Sequence, residues 1–312
     1  MTSNSSATAS VHPVISPRAG AGLWWGLLGV TAFSFTVPFT RVAVEGLSPL
    51  FIGAGRAVIA AGLAGAALVL TRQHLPHRIH WLRLAVVAGG VVAGFPLLTS
   101  YALTTTDASH GAVVIAVLPA ATAVVVVWRT RERPPKAFWV MTGVGAVVAI
   151  AFAVGHSGSW GQLHWADALL FAAVVAAAVG YAEGGLLARE LGAWQTISWA
   201  LVLAAPVMLA LTVVAMIQQP LAGTSVQWAA FAYLGVVSMF LGFFAWYRGL
   251  GIGPMAQVSQ IQLVQPVLSI LWAAWLLGED LTMTTVAGGV AVILCATLAV
   301  RIRLGITSPA RT

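Results

Sequence analysis

The chain has 312 residues, of which 60% are apolar and only 7% are charged, and its mean hydropathy is +0.94. A soluble domain usually carries about 25% charged residues, so this composition cannot cover a water-exposed surface and lipid must be the main solvent. The net charge of +7 would suit a nucleic-acid-binding protein, but no basic run lies in a recognisable binding fold. We therefore expect no nucleic-acid partner. We expect the lipid bilayer to surround the protein.

Ten apolar stretches follow a polar N-terminal segment. Residues 1–20 are rich in Ser, Thr, Ala and Pro, which predicts a disordered cytoplasmic tail. Each later stretch is close to the roughly 20 residues that cross a bilayer as a helix, and lipid-exposed backbone must pair with itself. We therefore predict an all-α polytopic membrane protein with ten transmembrane helices, at residues 22–40, 49–70, 81–103, 110–128, 137–154, 165–187, 194–217, 228–250, 254–277 and 283–300.

The basic residues predict the orientation of these helices. With the N-terminus in the cytoplasm, thirteen of the fifteen Lys and Arg residues fall on the cytoplasmic side, as insertion into a membrane favours. Arg41, near an outer loop, and Arg56, inside a span, are the two exceptions. The outer loops GHSGSWGQLH and QQPLAGTSVQ contain neither Lys nor Arg. Both termini are therefore predicted to be cytoplasmic.

A weak internal repeat relates the two halves of the chain. Pro119 and Pro266 are 147 residues apart, and the same offset places LPAATAVVVVWRTRE over QPVLSILWAAWLLGE, so that Glu132 meets Glu279. Five helices in each half would invert the second copy, which is an arrangement found in secondary transporters. Chance similarity between two apolar helices is the alternative explanation.

At these residues the chain resembles the ten-helix, EamA-type group of the drug/metabolite transporter superfamily. FSFTVPFTRVAVEGLSPLFIGAGRAVIA resembles its first two helices, with Pro38, Pro49 and Arg56. Pro266, Gly278 and Glu279, followed by VAGGVAVIL, resemble the end of each half. RTRERPP departs from that pattern because no glycine precedes its glutamate, so the family pattern does not specify the local turn there.

The resemblance implies two inverted five-helix repeats, at residues 21–155 and 156–303, with a cytoplasmic tail at 304–312. It also implies a multi-pass protein of a bacterial inner membrane. Members of the family move amino acids, sugars and other metabolites without ATP, many of them outward. We therefore expect a secondary transporter that exports a small-molecule substrate by alternating access, with monomer and homodimer both open.

The sequence lacks the motifs of other membrane machinery. It contains no GxxxxGK[ST] for nucleotide hydrolysis and no HExxH for zinc chemistry, and no aspartate is predicted in the middle of a span. We expect no catalytic residues, no metal and no cofactor. The alternative function is a non-transporting polytopic membrane protein, either an intramembrane enzyme or a scaffold.

The predicted ninth helix contains QVSQIQLVQP, with four glutamines within nine residues. On a continuous α-helix Gln257, Gln260 and Gln265 lie within an arc of about 140°. They could form the polar wall of a water-filled cavity or hydrogen-bond neighbouring helices, which contributes about 0.6 kcal/mol per contact. Pro266 leaves one carbonyl without its helical partner, so a kink there could act as a gate.

Other candidate residues lie in the remaining helices. By the repeat and the family pattern, Pro119 and Pro38 join Pro266 as gating candidates. Arg56, about 10 Å inside the second helix, either binds a substrate carboxylate, contacts a gating partner or serves the structure. Glu183, about one turn inside the sixth helix, either extends to the interface or couples transport to protons. Trp246 and Tyr247 are interpreted as interface anchors.

The orientation can be tested with reporter fusions. Fusions after Arg131, Arg189 and Arg303 should report a cytoplasmic location, and fusions after Ser157 and Gly223 a periplasmic one, because the basic loops stay inside. Paired phosphatase and fluorescent-protein reporters measure both outcomes. A periplasmic signal after Arg131 would contradict the predicted orientation.

Overall fold

The computed structural model describes residues 17–131, 133–156, 164–252 and 261–303. In these ranges the chain forms helices joined by short turns, without a β-strand. Seven helices are long and apolar enough to cross a membrane, and three shorter apolar helices complete ten crossings. The prediction of an all-helical polytopic membrane protein is confirmed.

The helices are numbered as ten crossings, several of which are divided into segments. The first five are α1 (Pro17–Ser34 and Thr36–Ala43), α2 (Pro49–Leu70), α3 (Arg78–His80, Trp81–Val87, Ala88–Gly94 and Phe95–Ala102), α4 (Ala108–Ile115 and Leu118–Thr130) and α5 (Lys136–His156). The second five are α6 (Trp165–Leu191), α7 (Ala193–Gln218), α8 (Ser225–Tyr233, Leu234–Leu241 and Gly242–Ile252), α9 (Ile261–Val264 and Gln265–Leu277) and α10 (Met283–Arg303). Residues 17–20, assigned to the tail from composition, already belong to α1.

Helices from the first half pack against helices from the second half in a symmetric set of pairs. The main pairs are α1 with α8, α3 with α6, α2 with α7, α5 with α10, α4 with α6 and α1 with α9. Exchanging the two halves maps α2–α7 and α5–α10 onto themselves, interchanges α1–α8 with α3–α6, and interchanges α4–α6 with α1–α9. The contacts are therefore those of two related five-helix units.

Irregular backbone recurs at the offset of the sequence repeat. A π-helical segment occupies Ala88–Gly94 in α3 and Leu234–Leu241 in α8. In α4 and α9 the final α-helical segment begins one residue before Pro119 and Pro266. Chance similarity between two apolar helices would not place the same interruptions at the same positions, so the repeat is a property of the fold.

The turn after α4 departs from its counterpart in residue type but not in conformation. Gly278 ends α9 in the left-handed region with φ 65°, and Arg131 ends α4 in the same region with φ 57°. A side chain makes this conformation cost roughly 1 kcal/mol more than it does for glycine. The first repeat keeps the turn despite lacking the glycine.

At the break in α1, side chains of other helices donate hydrogen bonds to the backbone carbonyls that lack a helical partner. Pro38 has no N–H to donate to the carbonyl of Ser34, four residues earlier. The Ser269 hydroxyl of α9 donates to that carbonyl at 2.8 Å, and the Tyr233 hydroxyl of α8 donates to the carbonyl of Ala32 at 3.1 Å. Backbone acceptors at this depth need such partners because lipid supplies none.

The α3–α6 crossing depends on two glycines that let the backbones approach. A Cβ on Gly90 would lie 2.4 Å from the carbonyl oxygen of Ala176 and 2.8 Å from the Cα of Gly180. Both are backbone atoms, so a side chain at position 90 can be accommodated only by moving one helix away from the other.

Gly90→Ala should therefore destabilise the protein by about 1–3 kcal/mol, as overpacking does. Gly89→Ala is the matched control, because a Cβ at this position of the same π-helical segment would meet no neighbouring atom within 4 Å. Thermal unfolding in detergent, followed by size-exclusion chromatography, compares the two variants. Equal stability of both would contradict the close crossing.

Candidate functional site

A central cavity of about 40 Å³ lies among helices of both repeats. Its apolar wall contains aromatic and aliphatic side chains, namely Phe33, Val37, Val91, Phe95, Pro96, Leu118, Met239 and Phe243. Its polar groups come from α1, α2, α6, α8 and α9, namely Thr36, Arg56, Tyr181, Ser238 and Gln265. A mostly apolar pocket with a few convergent polar groups is the usual form of a small-molecule site.

Among the residues that the structure describes, Arg56 is the only charged one in the wall of this cavity. Its side chain lies on the Gly-rich stretch of α2 and is 1% exposed. Nη2 donates to the Thr99 hydroxyl at a long 3.4 Å, and Nε has no hydrogen-bond partner among the described residues. Nor does any described carboxylate form an ion pair with it. The structure thus presents an uncompensated cation to the cavity.

Among the described glutamines of the ninth helix, Gln265 faces the central cavity. It also lines a smaller adjoining pocket of about 10 Å³ between α1, α4 and α9, together with Gln262, Pro119 and Pro266. Gln257 and Gln260 lie outside the described residues. The arc predicted for the three glutamines assumed one continuous α-helix, whereas Ile261–Val264 forms a 3₁₀ turn with about 120° per residue.

The three candidate gating prolines occupy the interruptions that surround the cavity. Pro38 follows the break in α1, while Pro119 and Pro266 begin the second segments of α4 and α9. Beside Pro38, Thr36 and Ser238 form a hydroxyl–hydroxyl hydrogen bond of 2.7 Å that joins α1 to α8 in the cavity wall. Irregular backbone at membrane depth is tolerated where it is packed in protein or lines a cavity.

Glu183 binds two arginines at the end of the bundle that carries the basic loops, called the basic end below. Its carboxylate accepts a hydrogen bond from Arg83 at the start of α3 and another, of 2.9 Å, from Arg129 Nε at the end of α4. The prediction that the Glu183 side chain extends to the membrane interface is therefore wrong, because this side chain is buried between α3, α4 and α6. Its role in proton coupling stays a prediction.

Trp246 and Tyr247 are not interface anchors. They are 5% and 2% exposed, and Trp246 packs where a Cβ on Gly29 of α1 would lie within 2.9 Å of its backbone. Their position near the end of an apolar stretch suggested an interface, but the close α1–α8 pair covers this face of α8. Trp246 and Tyr247 are therefore part of the packed interior of the bundle.

Two further polar contacts lie at the opposite end of the bundle, the end without the basic loops. Glu279 accepts hydrogen bonds of 2.8 Å from the backbone N–H groups of Ala108 and Ser109, at the N-terminus of α4. His110 and Asp167 form a buried pair with 2.7 Å between Nε2 and Oδ1. The sequence places Asp167 near the start of the sixth predicted span and His110 at the start of the fourth, but it does not predict this pair, because nothing local indicates that α4 and α6 meet there.

The comparisons with known proteins agree with this architecture. The chain matches the EamA-like transporter family twice, over residues 20–155 and 164–301. The chain belongs to this family. It is 43% identical over 284 residues to the uncharacterized transporter YdeK of Bacillus subtilis (strain 168), in a match that covers 88% of this chain and 96% of that protein.

A solved structure supports the same fold at lower identity. One crystal structure of a protein matches with a TM-score of 0.63 and 17% identity, over 93% of this chain and 100% of that one. Likeness at this identity shows the fold alone. The family match places this protein among membrane transporters built from two EamA-like repeats.

The basic-end cluster can be tested through stability. Glu183→Gln should lower the free energy of unfolding by about 1–3 kcal/mol, because it removes a partly buried carboxylate from two guanidinium groups. Glu190→Gln is the matched control, since Glu190 also binds Arg83 but its side chain is 46% exposed. Thermal unfolding in detergent compares them, and a larger loss for Glu190→Gln would contradict the assignment.

Proposed function

We propose that this EamA-like protein is a secondary transporter that carries a small carboxylate-bearing metabolite, amino acids foremost, through the central cavity by alternating access. We further propose that it exports its substrate across a bacterial plasma membrane, with both termini in the cytoplasm. Membrane transport follows from the family. The substrate class, the direction and the mechanism are the proposal.

The position of Arg56 carries the argument for a carboxylate. A buried guanidinium without a counter-ion is costly in a membrane protein, and such residues usually face a cavity or mark a substrate pathway. Planar carboxylates match the fork of guanidinium donors and form charge-assisted hydrogen bonds with it. A bound substrate carboxylate would supply the partner that the described residues do not.

The remaining wall suits the other parts of such a substrate. Phe33, Phe95 and Phe243 offer apolar surface, while hydroxyls of α1 and α8 and the Gln265 amide offer hydrogen-bond acceptors. An α-amino group could bind these oxygens, and an apolar side chain could contact the aromatic rings. The described wall contains no carboxylate, which disfavours a substrate with an isolated positive charge.

Alternating access is supported by the way the cavity is bounded. Segmented helices α1, α4 and α9 surround it, and their interruptions at Pro38, Pro119 and Pro266 provide places at which one half of a helix can move against the other. The cluster around Glu183 joins α3, α4 and α6 at the basic end, where its opening would admit cytoplasmic substrate. Outward direction rests on the resemblance to exporting family members.

Flux through proteoliposomes tests the role of Arg56. A panel of radiolabelled amino acids and other small carboxylic acids should contain at least one substrate of the purified protein. Arg56→Gln should reduce its flux about a hundredfold, because a charge-assisted hydrogen bond of about 2–3 kcal/mol is lost. The amide of the same substrate, which lacks the carboxylate, should fail to compete.

Arg41→Gln is the matched control, since Arg41 is an arginine near the end of α1 that pairs with Glu45 away from the cavity. Its flux should stay close to that of the native protein. Normal flux through Arg56→Gln, in protein shown to be folded by size-exclusion chromatography, would contradict a substrate-binding role. Equal competition by the amide would contradict the carboxylate.

A further inference from the structure

A polar pocket of about 250 Å³ lies at the opposite end of the bundle, apart from the central cavity. Its wall includes Thr105 and Asp107, in the turn between α3 and α4, and His164, which directly precedes α6. These three residues are exposed, so the pocket is open to water at this end. Among the described residues, none lines both this pocket and the central cavity. The two spaces are therefore separate in this arrangement of the helices.

Apolar side chains from three helices meet between these two spaces. Val37 of α1, Leu103 at the end of α3 and Leu170 of α6 pack over Gly111 of α4. A Cβ on Gly111 would lie 3.1 Å from Cδ2 of Leu103, 3.5 Å from Cγ1 of Val37 and 3.9 Å from Cδ2 of Leu170. The three side chains are at most 4% exposed. Val37, Leu103 and Leu170 are called the apolar plug below.

The members of the apolar plug adjoin the polar space on either side of it. Val37 itself lines the central cavity. Leu103 lies two residues before Thr105 of the pocket, and Leu170 lies about one helical turn after Asp167, which also lines the pocket. The interior of any membrane bundle is apolar, but a purely structural core needs no polar space on both of its sides. A gate does.

An apolar constriction closes a path without using a charge. Narrow apolar openings are wetted poorly, so they exclude water and ions until the surrounding helices move apart. The basic end is joined by a different chemistry, because Glu183 there binds Arg83 and Arg129. The two ends of the central cavity therefore present different barriers to a substrate.

We propose that the polar pocket is the outer vestibule of the transport path and that the apolar plug is the gate between this vestibule and the central cavity. Substrate released from Arg56 leaves between α1, α3, α4 and α6 when the three side chains of the plug separate. The proposal rests on the alternating access proposed above and locates its outer half.

The wall of the vestibule suits the release of a carboxylate. Its described residues include Asp107 and Asp167 but neither Lys nor Arg. A carboxylate that reaches the vestibule therefore finds no guanidinium or ammonium group like the one it left in the central cavity. This difference favours departure into water over return to Arg56.

A cysteine in the central cavity can report the gate without any transport substrate. Ser238 lines the cavity and is 5% exposed, and Ser238→Cys with Cys295→Ala leaves one thiol in the protein. A small, anionic, membrane-impermeant thiosulfonate is added to sealed vesicles of uniform orientation. A parallel sample with Thr105→Cys in place of Ser238→Cys identifies the vesicles in which the vestibule faces outward.

Leu103→Ala and Leu170→Ala should each raise the labelling rate of the Ser238→Cys thiol from the vestibule side at least about tenfold. Each substitution removes apolar contacts that stabilise the closed plug, and a change of about 1.4 kcal/mol in the opening equilibrium corresponds to that factor. A variant that does not give a monodisperse peak in size-exclusion chromatography is replaced by Leu→Val at the same position, which should change the rate in the same direction.

Leu84→Ala and Leu187→Ala are the matched controls. Both leucines are also 0% exposed, and they belong to α3 and α6 as well, but they lie near the basic ends of these helices. These two substitutions remove the same atoms from an equally buried site. They should leave the labelling rate from the vestibule side unchanged or lower it.

A plug with a purely structural role predicts another pattern. A similar rise with all four substitutions would show a general loosening of the bundle and would overturn the proposal, and so would unchanged rates with Leu103→Ala and Leu170→Ala. Because labelling requires no substrate, its failure leaves the Arg56 flux result standing. Normal flux through Arg56→Gln likewise leaves the labelling result standing.

Discussion

Lipid accepts and donates no hydrogen bonds, and this constraint governs the rest of the structure. Each helix satisfies its own backbone, so a helix can be interrupted only where another helix supplies the missing partner. The break at Pro38 shows how this works, because the freed carbonyl of Ser34 accepts from Ser269 on α9. Such interruptions therefore occur inside the bundle, and the central cavity lies among them.

The same lack of hydrogen-bonding partners in lipid explains why most buried charged side chains described here are paired. At the basic end, Glu183 is shared by Arg83 and Arg129, and at the opposite end His110 binds Asp167, so buried charges meet an opposite partner. Arg56 alone, among the charged residues that the structure describes in the cavity wall, meets only a hydroxyl. This contrast between the paired charges and the guanidinium in the cavity is the observation on which the proposed carboxylate substrate rests.

The two repeats share the backbone features around the cavity, but they differ in the side chains at equivalent positions. The π-helical segments and left-handed turns recur in both halves at equivalent positions. At the same offset, Arg56 corresponds to Leu203 and His110 to Gln257. The charge in the cavity wall is thus found in only one of the two repeats.

Composition and hydropathy determined by themselves that the protein is a bundle of ten membrane helices, because the period and length of an apolar crossing are local properties. The 147-residue offset likewise predicted equivalent positions for Pro119 and Pro266, which the interruptions in α4 and α9 confirm. The depth of Arg56 suggested a cavity-facing charge, since a lone cation in a span needs a polar environment. These features follow from single segments of the chain.

Tertiary structure decided which segments meet. Glu183 was placed near an interface because one helix gives no sign of Arg83, 100 residues away, or of Arg129 on a third helix. His110 and Asp167 are 57 residues apart, and either would be solvated if α4 and α6 did not close over them. The burial of Trp246 likewise depends on the close approach of α1 at Gly29. Partners of buried polar groups are set by packing between helices, which a local pattern does not encode.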